Sequence, residues 1–296
     1  MRQNARGVLC TLLGGSCWGF SAACGQYLFM NYQLDASWIT VMRMLGAGIT
    51  LLIVTFFSQR ENFTGIWREP RDRIQLVFFG ICGLMFSQFT FLTAISHSNA
   101  GTATVLQYLG PVLVMILVCF GGRRLPRGKE VVSIFLAVLG TFLLATHGNP
   151  ATMVLTQKGL FWGLLSAVSL AMYTLLPARL LPRWGSMVVT GFGMLIGGIL
   201  LACVVQVWSI PVALDVKGWL AVGGMVVVGT ILAYTLYLQG VGDIGSVRAS
   251  MLASIEPVSA TVLSVVWLHT SFLLMDLLGF VCILATVFLL AKKKEE

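Results

Sequence analysis

Apolar runs of about twenty residues follow one another along the whole sequence and are separated by short polar segments. A helix of about twenty apolar residues spans the hydrocarbon core of a bilayer, which is about 30 Å thick. Of the 296 residues, 57% are hydrophobic and only 10% are charged, whereas soluble domains carry about 25% charged residues. Such a chain has too little polar surface for a water-exposed globule. We therefore predict an all-α membrane protein whose partner is the lipid bilayer.

The apolar runs divide into ten predicted transmembrane spans. The division is least marked between the third and fourth spans, where only the polar residues 96–99 interrupt the apolar sequence. The first apolar run is longer than the hydrophobic region of a signal peptide, so we interpret it as a span. The ten spans cover residues 7–29, 35–57, 74–95, 101–120, 129–146, 159–178, 187–207, 218–239, 246–268 and 273–291.

Lysine and arginine are distributed unequally between the two sides of the predicted bundle. With the N-terminus in the cytoplasm, sixteen of the nineteen basic residues fall in cytoplasmic segments, and the opposite loops hold only Lys158 and Lys217. The remaining one, Arg43, lies inside the second span. Because basic residues concentrate on the cytoplasmic side, we predict a bacterial inner membrane protein with both termini cytoplasmic. The net charge of +8 then reflects topology, and no nucleic-acid partner is expected.

The two halves of the sequence resemble each other. A shift of 146 residues aligns 91–144 with 237–290 without a gap and places Pro111 opposite Pro257. Each half holds five predicted spans, and an odd number inserts the second half upside down relative to the first. We therefore predict ten transmembrane helices as two inverted five-helix repeats, residues 1–147 and 156–292. Inverted repeats of this kind are typical of secondary transporters.

Residues in four of the spans match a known family. They are Trp18 and Gly19 in the first span, Arg43 in the second, Ala103, Leu106 and Pro111 in the fourth, and Ala249, Leu252, Glu256 and Pro257 in the ninth. On these residues the sequence resembles the EamA family of the drug/metabolite transporter superfamily over essentially its whole length. The resemblance implies a central cavity lined by spans one to four and six to nine. It also implies an exporter of small metabolites, amino acids or drug-like compounds.

Two charged residues lie deep inside predicted spans. Arg43 is roughly 12 Å from the outer end of the second span, and Glu256 is roughly 15 Å from the inner end of the ninth, at 1.5 Å per residue. Charges at this depth cost a few kcal/mol and are functional candidates. In one interpretation Arg43 attracts a substrate carboxylate and Glu256 binds an amine or a coupling proton. In the other, the two form a structural ion pair or satisfy carbonyls freed by Pro257.

Pro111 and Pro257 are predicted to break helices at equivalent positions of the two repeats. A proline inside a helix removes one hydrogen bond and clashes with the preceding turn, and broken helices mark binding sites in transporters. Aromatic and amide side chains near these breaks suit an amphipathic organic solute. The further candidates for the substrate cavity are Trp18, Gln88, Gln107, Tyr108, Tyr173, Tyr234 and Tyr237.

Pairs of glycines four residues apart occur in the first and seventh spans. They are Gly15 with Gly19, and Gly193 with Gly197. Small residues at this spacing let two membrane helices approach closely. We therefore predict helix contacts at these glycines and no ligand contact.

Three alternative functions remain open. A sugar-phosphate or nucleotide-sugar exchanger would need several intramembrane cations to bind phosphate, and Arg43 alone is available. An intramembrane enzyme would need a nucleophile and a base at one depth, and no such pair is found, so no catalytic residue is assigned. A non-transporting scaffold would leave the matched prolines unexplained.

The expected partners follow from the predicted transport. They are a small-molecule substrate and protons as a candidate coupling ion, with a homodimer as an open alternative. No Walker A motif is present, so ATP is not the direct energy source. We expect no metal and no cofactor.

Overall fold

The computed structural model describes residues 2–121, 123, 125–149, 154–244, 249 and 252–291. Within these ranges the regular structure is helical, and no strand is formed. Arg124, Arg248 and Lys292–Lys294, which contributed to the predicted orientation, lie outside the described residues. The helices are α1 (Arg2–Tyr32), α2 (Ala36–Ser58), α3 (Arg60–Gly65), α4 (Pro70–Phe78), α5 (Phe86–Ser96), α6 (Ala100–Gln107), α7 (Gly110–Gly121), α8 (Gly128–Thr146), α9 (Gln157–Leu175), α10 (Leu180–Trp184), α11 (Ser186–Val204), α12 (Val216–Val226), α13 (Ala233–Ile244), α14 (Ile255–Val266) and α15 (Leu274–Ala291).

Eight helical stretches of the described chain are long and apolar enough to cross a membrane. They occupy the places of the first eight predicted spans. The ninth and tenth predicted spans correspond to shorter apolar helices, Ile255–Val266 and Leu274–Leu289. The chain is an all-helical, multi-pass membrane protein. The eight long stretches are Asn4–Tyr32, Ala36–Ser58, Pro70–Ser96, Ala100–Gly121, Gly128–Thr146, Gln157–Leu175, Ser186–Val204 and Val216–Ile244.

The polar residues 96–99 separate two helices, as predicted. α5 ends at Ser96 and α6 begins at Ala100. Asn99 is the N-cap of α6, because its side-chain oxygen accepts a hydrogen bond of 2.8 Å from the backbone N–H of Thr102. Asparagine is among the preferred N-cap residues, since this bond satisfies an amide that has no helical partner.

Two of the long stretches contain a π-helical segment. Phe79–Met85 joins α4 to α5, and Val227–Leu232 joins α12 to α13. The shift of 146 residues brings the first segment almost onto the second. Short π-helical segments in α-helices are frequent at functional sites. Here Ser87 and Gln88, after the first segment, and Tyr234, after the second, line the cavity described below.

Glycines allow α1 to pack closely along α14, as the glycine spacing predicts. A Cβ atom built on Gly15 would lie 3.0 Å from the carbonyl oxygen of Ala253. On Gly19 it would lie 2.2 Å from Ser259 Oγ and 2.8 Å from the carbonyl oxygen of Glu256. In the second glycine pair, Gly197 allows an equally close contact, because a Cβ atom on it would lie 2.6 Å from the carbonyl oxygen of Gly80. The prediction of close helix contacts is confirmed.

Replacing Gly19 with valine is expected to destabilise the fold. The added side chain meets the backbone of α14, which cannot move aside without displacing Glu256. Overpacking of this kind costs about 3 kcal/mol. Gly223→Val on α12 is the matched control, because nothing lies within 4 Å of its Cβ position. Denaturant unfolding in detergent micelles measures the difference, and equal stability of the two variants would contradict the close approach.

A buried carboxylate ties the first half of the chain to the second. Asp72 at the start of α4 is fully buried. It accepts hydrogen bonds from Arg183 Nη1 at 2.6 Å and from the indole N–H of Trp184 at 2.9 Å, and Arg179 Nη2 lies 3.4 Å away. The guanidinium of Arg183 also stacks 4.8 Å from the Trp184 ring centroid. This cluster fixes α10 against α4.

Candidate functional site

A cavity of about 330 Å³ lies between the helices of the two halves. It is lined by residues of α1, α2, α5, α6, α7, α9, α13 and α14, and by the end of the first π-helical segment. All nine residues that the sequence predicts for the substrate cavity line it, together with Pro111. Pro257 is buried next to Glu256 in α14 and is not in the lining. The nine residues are Trp18, Arg43, Gln88, Gln107, Tyr108, Tyr173, Tyr234, Tyr237 and Glu256.

Five further lining residues, Leu84, Ser87, Phe91, Leu170 and Ala253, are outside the predicted set. Leu84 and Ser87 lie on the same helical stretch as Gln88, and Leu170 lies three residues before Tyr173. Their positions one turn from predicted residues are the signal that could have identified them. Leucine and serine are so frequent in membrane helices that residue type alone gave no reason to choose these positions.

Aromatic rings form one wall of the cavity. Trp18 on α1 contacts both tyrosines of α13, with centroid distances of 5.5 Å to Tyr234 and 5.1 Å to Tyr237. The hydroxyl of Tyr234 lies 3.4 Å from that of Tyr173 on α9. Edge-to-face and tilted contacts hold these rings in place. The wall therefore offers a rigid apolar surface with hydroxyl groups at its border.

Among the described residues, the guanidinium of Arg43 makes no hydrogen bond and no salt bridge. The side chain is buried, with 7% of its surface exposed, and Nε has no hydrogen-bond acceptor. Among the residues that the structure describes, Arg43 forms no ion pair with Glu256. The structural ion pair that the sequence analysis considered is therefore not formed there. A buried, unpaired cation is costly. The cavity therefore presents a positive group that is available to an anionic ligand.

Glu256 is held by a residue of the other half. The hydroxyl of Tyr108 lies 3.1 Å from Glu256 Oε2 and 3.2 Å from the carbonyl oxygen of Ala253. Ala253 is the residue four positions before Pro257, which has no N–H to donate to that carbonyl. One hydroxyl thus contacts both the cavity carboxyl and the carbonyl that the proline leaves without its helical donor.

Both helix breaks lie beside the cavity. α6 ends at Gln107 and α7 begins at Gly110, so the turn at Tyr108 directly precedes Pro111. In the second half, Ser254 forms a turn and α14 begins at Ile255. The two breaks lie at equivalent positions under the shift of 146 residues. They bring Tyr108 and Glu256 into contact.

Helices pack against one another toward both ends of the cavity. The terminal face is defined here as the end of the bundle that holds the start of α1 and the end of α15. Toward the opposite face, α1 packs against α5, α6 and α12, and α6 packs against α14. Toward the terminal face, the extensive contacts of α13 within the described chain are with α1 and with the π-helical segment before it. On the terminal face, Arg6 at the start of α1 also forms an ion pair of 2.8 Å with Asp243 near the end of α13.

A buried glutamine joins helices at the face opposite the terminal face. Gln26 on α1 is 5% exposed. Its Oε1 accepts hydrogen bonds from the backbone N–H of Ala100 at 2.8 Å and from Ser264 Oγ at 3.0 Å. Its Nε2 donates to Thr270 Oγ1 at 2.8 Å. One side chain thereby joins the end of α1 to the start of α6 and the end of α14.

Comparison with known proteins assigns the chain to a family. The profile of the EamA-like transporter family matches residues 5–146 and again 157–292. The uncharacterized inner membrane transporter YicL of Salmonella typhimurium is 36% identical over 292 residues, which cover 98% of this chain and 97% of that protein. The uncharacterized transporter YetK of Bacillus subtilis is 25% identical over 86% of this chain and 78% of its own length.

A solved structure has the same fold. One crystal structure superimposes with a TM-score of 0.64 over 95% of this chain and 94% of its own chain, at 19% sequence identity. The family profile, the extensive match to YicL and the apolar helices agree with one another. The chain belongs to the EamA-like transporter family and is a multi-pass membrane transporter.

Proposed function

We propose that this transporter exports small amphipathic molecules that carry an anionic group, such as amino acids or acidic drug-like metabolites. The observation that carries the proposal is the unpartnered guanidinium of Arg43, buried in a cavity that also holds Glu256 and an aromatic wall. The volume of about 330 Å³ is near the lower end of ligand pockets, which range over about 300–1,000 Å³. It suits a molecule of the size of an amino acid or a small drug.

Each part of the cavity has a role in this proposal. Arg43 binds a carboxylate through its planar guanidinium. Trp18, Tyr234 and Tyr237 contact the apolar body of the substrate. Glu256 binds an amine or the coupling proton. A phosphate-rich substrate is disfavoured, because Arg43 is the single cationic side chain among the described lining residues.

Alternating access between two inverted five-helix repeats, residues 1–147 and 156–292, is part of the same proposal. The double match of the family profile, the matched π-helical segments and the matched prolines support it. In this arrangement both termini are cytoplasmic, and the terminal face is the cytoplasmic face. Substrate then enters from the cytoplasm and leaves after the packing around Gln26 has opened.

Filling the cavity is expected to abolish export. Ser87→Trp places a large ring among the lining residues, whereas Ile53→Trp is the matched control on α2, because Ile53 faces away from the protein and is 54% exposed. Overexpression in a hypersensitive bacterial strain is tested against a panel of amino acids, analogues and toxic compounds. Resistance to at least one anionic amphipathic compound is expected with the wild type and with Ile53→Trp. Ser87→Trp should resemble the empty vector.

Two results would contradict this function. One is wild-type overexpression without resistance or lowered accumulation for any compound of the panel. The other is full resistance with Ser87→Trp at wild-type membrane levels, because transport would then bypass the cavity. Membrane levels of each variant are measured by immunoblot.

A further inference from the structure

The hydroxyl of Tyr108 faces two acceptors and has one proton to give. It lies 3.1 Å from Glu256 Oε2 and 3.2 Å from the carbonyl oxygen of Ala253. A tyrosine hydroxyl carries a single hydrogen, so full hydrogen bonds to both acceptors cannot coexist. Which acceptor receives the hydrogen depends on the charge of the carboxyl group.

The ionised and the protonated carboxyl lead to different arrangements. A carboxylate attracts the hydroxyl hydrogen about twice as strongly as a neutral carbonyl does, so Tyr108 donates to Glu256 and the carbonyl of Ala253 loses its donor. A protonated Glu256 can donate its own hydrogen to the hydroxyl oxygen of Tyr108. Tyr108 then donates to the Ala253 carbonyl, and both groups are satisfied.

The Ala253 carbonyl matters because it stands at the helix break of the second half. Pro257 cannot supply the N–H that a helix would place there. A buried carbonyl without a donor costs free energy comparable to a lost hydrogen bond. The start of α14 is therefore more stable when Tyr108 donates to Ala253 than when it donates to Glu256.

We infer that Tyr108 is a positioning residue that converts protonation of Glu256 into a change in the stability of the helix break before Pro257. The inference rests on the proposed function, since it links binding of the coupling proton to the stability of the start of α14. α14 packs extensively along α1, whose Gly19 touches the backbone at Glu256. A change at this break is thus transmitted to the helix that carries Trp18 at the cavity wall and Gln26 toward the face opposite the terminal face.

The other ionisable groups around Glu256 keep their charge over the same pH range. They are Arg43 on α2, Tyr173 on α9, and Tyr234 and Tyr237 on α13; α1 contributes Trp18, which does not ionise. Guanidinium and phenol groups normally titrate above about pH 10, whereas carboxyl groups titrate in the acidic range or, when buried, closer to neutrality. His269 after the far end of α14 can also titrate between pH 5.5 and 8. A pH response of α14 that is lost in Glu256→Gln, which keeps His269, therefore reports on Glu256.

Hydrogen–deuterium exchange of the full chain in lipid nanodiscs tests the inference without a substrate. The readout is the protection of peptides covering residues 252–260, corrected for the intrinsic pH dependence of exchange. In the wild type, opening is expected to be about twofold to tenfold more frequent at pH 8 than at pH 5.5, the range that one net hydrogen bond supports.

Tyr108→Phe and Glu256→Gln are both expected to lose this pH response, the first with fast exchange and the second with slow exchange. Tyr108→Phe leaves the Ala253 carbonyl without a donor at every pH, so exchange stays fast. Glu256→Gln leaves Tyr108 free to donate to Ala253, so exchange stays slow. Tyr27→Phe is the control, because its ring stacks 5.2 Å from Trp267 after the far end of α14, and it should respond as the wild type does.

A merely structural role of Tyr108 predicts that Tyr108→Phe exchanges faster than the wild type but still responds to pH. Fast exchange in Tyr108→Phe and slow exchange in Glu256→Gln, both independent of pH, therefore support the positioning role. The inference is overturned by a wild-type pH response in Tyr108→Phe, or by fast exchange in Glu256→Gln. A wild type without a pH response overturns both the inference and the coupling role of Glu256. The proposed export function is tested separately, by the resistance to toxic compounds that Ser87→Trp and Ile53→Trp confer on the hypersensitive strain.

Discussion

Replacing Glu256 with glutamine is expected to remove the dependence of transport on a pH gradient. The substitution keeps the shape of the side chain and supplies an amide N–H that can donate to the Tyr108 hydroxyl oxygen, and it removes the group that can bind and release a proton. In proteoliposomes, transport of the compound selected by the panel should be stimulated by a pH gradient with the wild type. We expect that stimulation to fall about tenfold or more in Glu256→Gln, in line with the contribution of a proton-transfer group.

Counterflow separates proton coupling from substrate binding. Exchange of labelled for unlabelled substrate without a pH gradient needs the cavity but no net proton movement. If Glu256 carries the coupling proton, Glu256→Gln keeps counterflow while it loses gradient-driven transport. If Glu256 binds a substrate amine instead, both activities fall together.

Glu61→Gln is the control for this experiment, because Glu61 is exposed on α3 outside the cavity. It should transport as the wild type does in both assays. Gradient-driven transport by Glu256→Gln at the wild-type rate, at every pH between 5.5 and 8, would refute the proposed role of the carboxyl in coupling. Equal membrane insertion of the variants is checked by their monodispersity in detergent.

Much of the fold could be predicted from the sequence because membrane helices follow simple physical rules. Apolar run length identified the eight long stretches, since a bilayer-spanning helix needs a minimum length. The ninth predicted span is interrupted, because the turn at Ser254 delays the start of α14 to Ile255, whereas α15 (Leu274–Ala291) nearly fills the tenth. The π-helical segments were not predicted, since their sequences are ordinary apolar runs.

The lining of the cavity could also be predicted, because polar and aromatic groups are rare at mid-membrane and stand out in an apolar sequence. Their binding role stays a prediction. The contact between Tyr108 and Ala253 could not be foreseen, because it joins two halves of the chain whose relative placement is a tertiary property. The hydrogen bonds of Gln26 were missed for the same reason: its three partners lie in distant segments.

Replacing Arg43 with methionine is expected to weaken transport of an anionic substrate about tenfold to a hundredfold while leaving the protein as stable as the wild type, or more stable. A hydrogen bond to a charged group contributes about 1.5–3 kcal/mol, which corresponds to that loss of affinity. Arg43→Lys keeps the charge but not the planar pair of donors, so it should recover part of the activity. The measurement is the KM for uptake into inverted membrane vesicles.

Stability decides between the two interpretations of Arg43. A guanidinium that holds a structural ion pair leaves its partner charge buried when it is removed, which costs about 3–5 kcal/mol. Arg43 forms no salt bridge in the described chain, so its removal breaks no ion pair and ends the cost of burying a cation. If the guanidinium binds substrate, Arg43→Met unfolds at or above the wild-type temperature. Its KM is then raised for the carboxylate substrate and unchanged for the neutral amide of that substrate. A large loss of stability would assign the guanidinium to the fold.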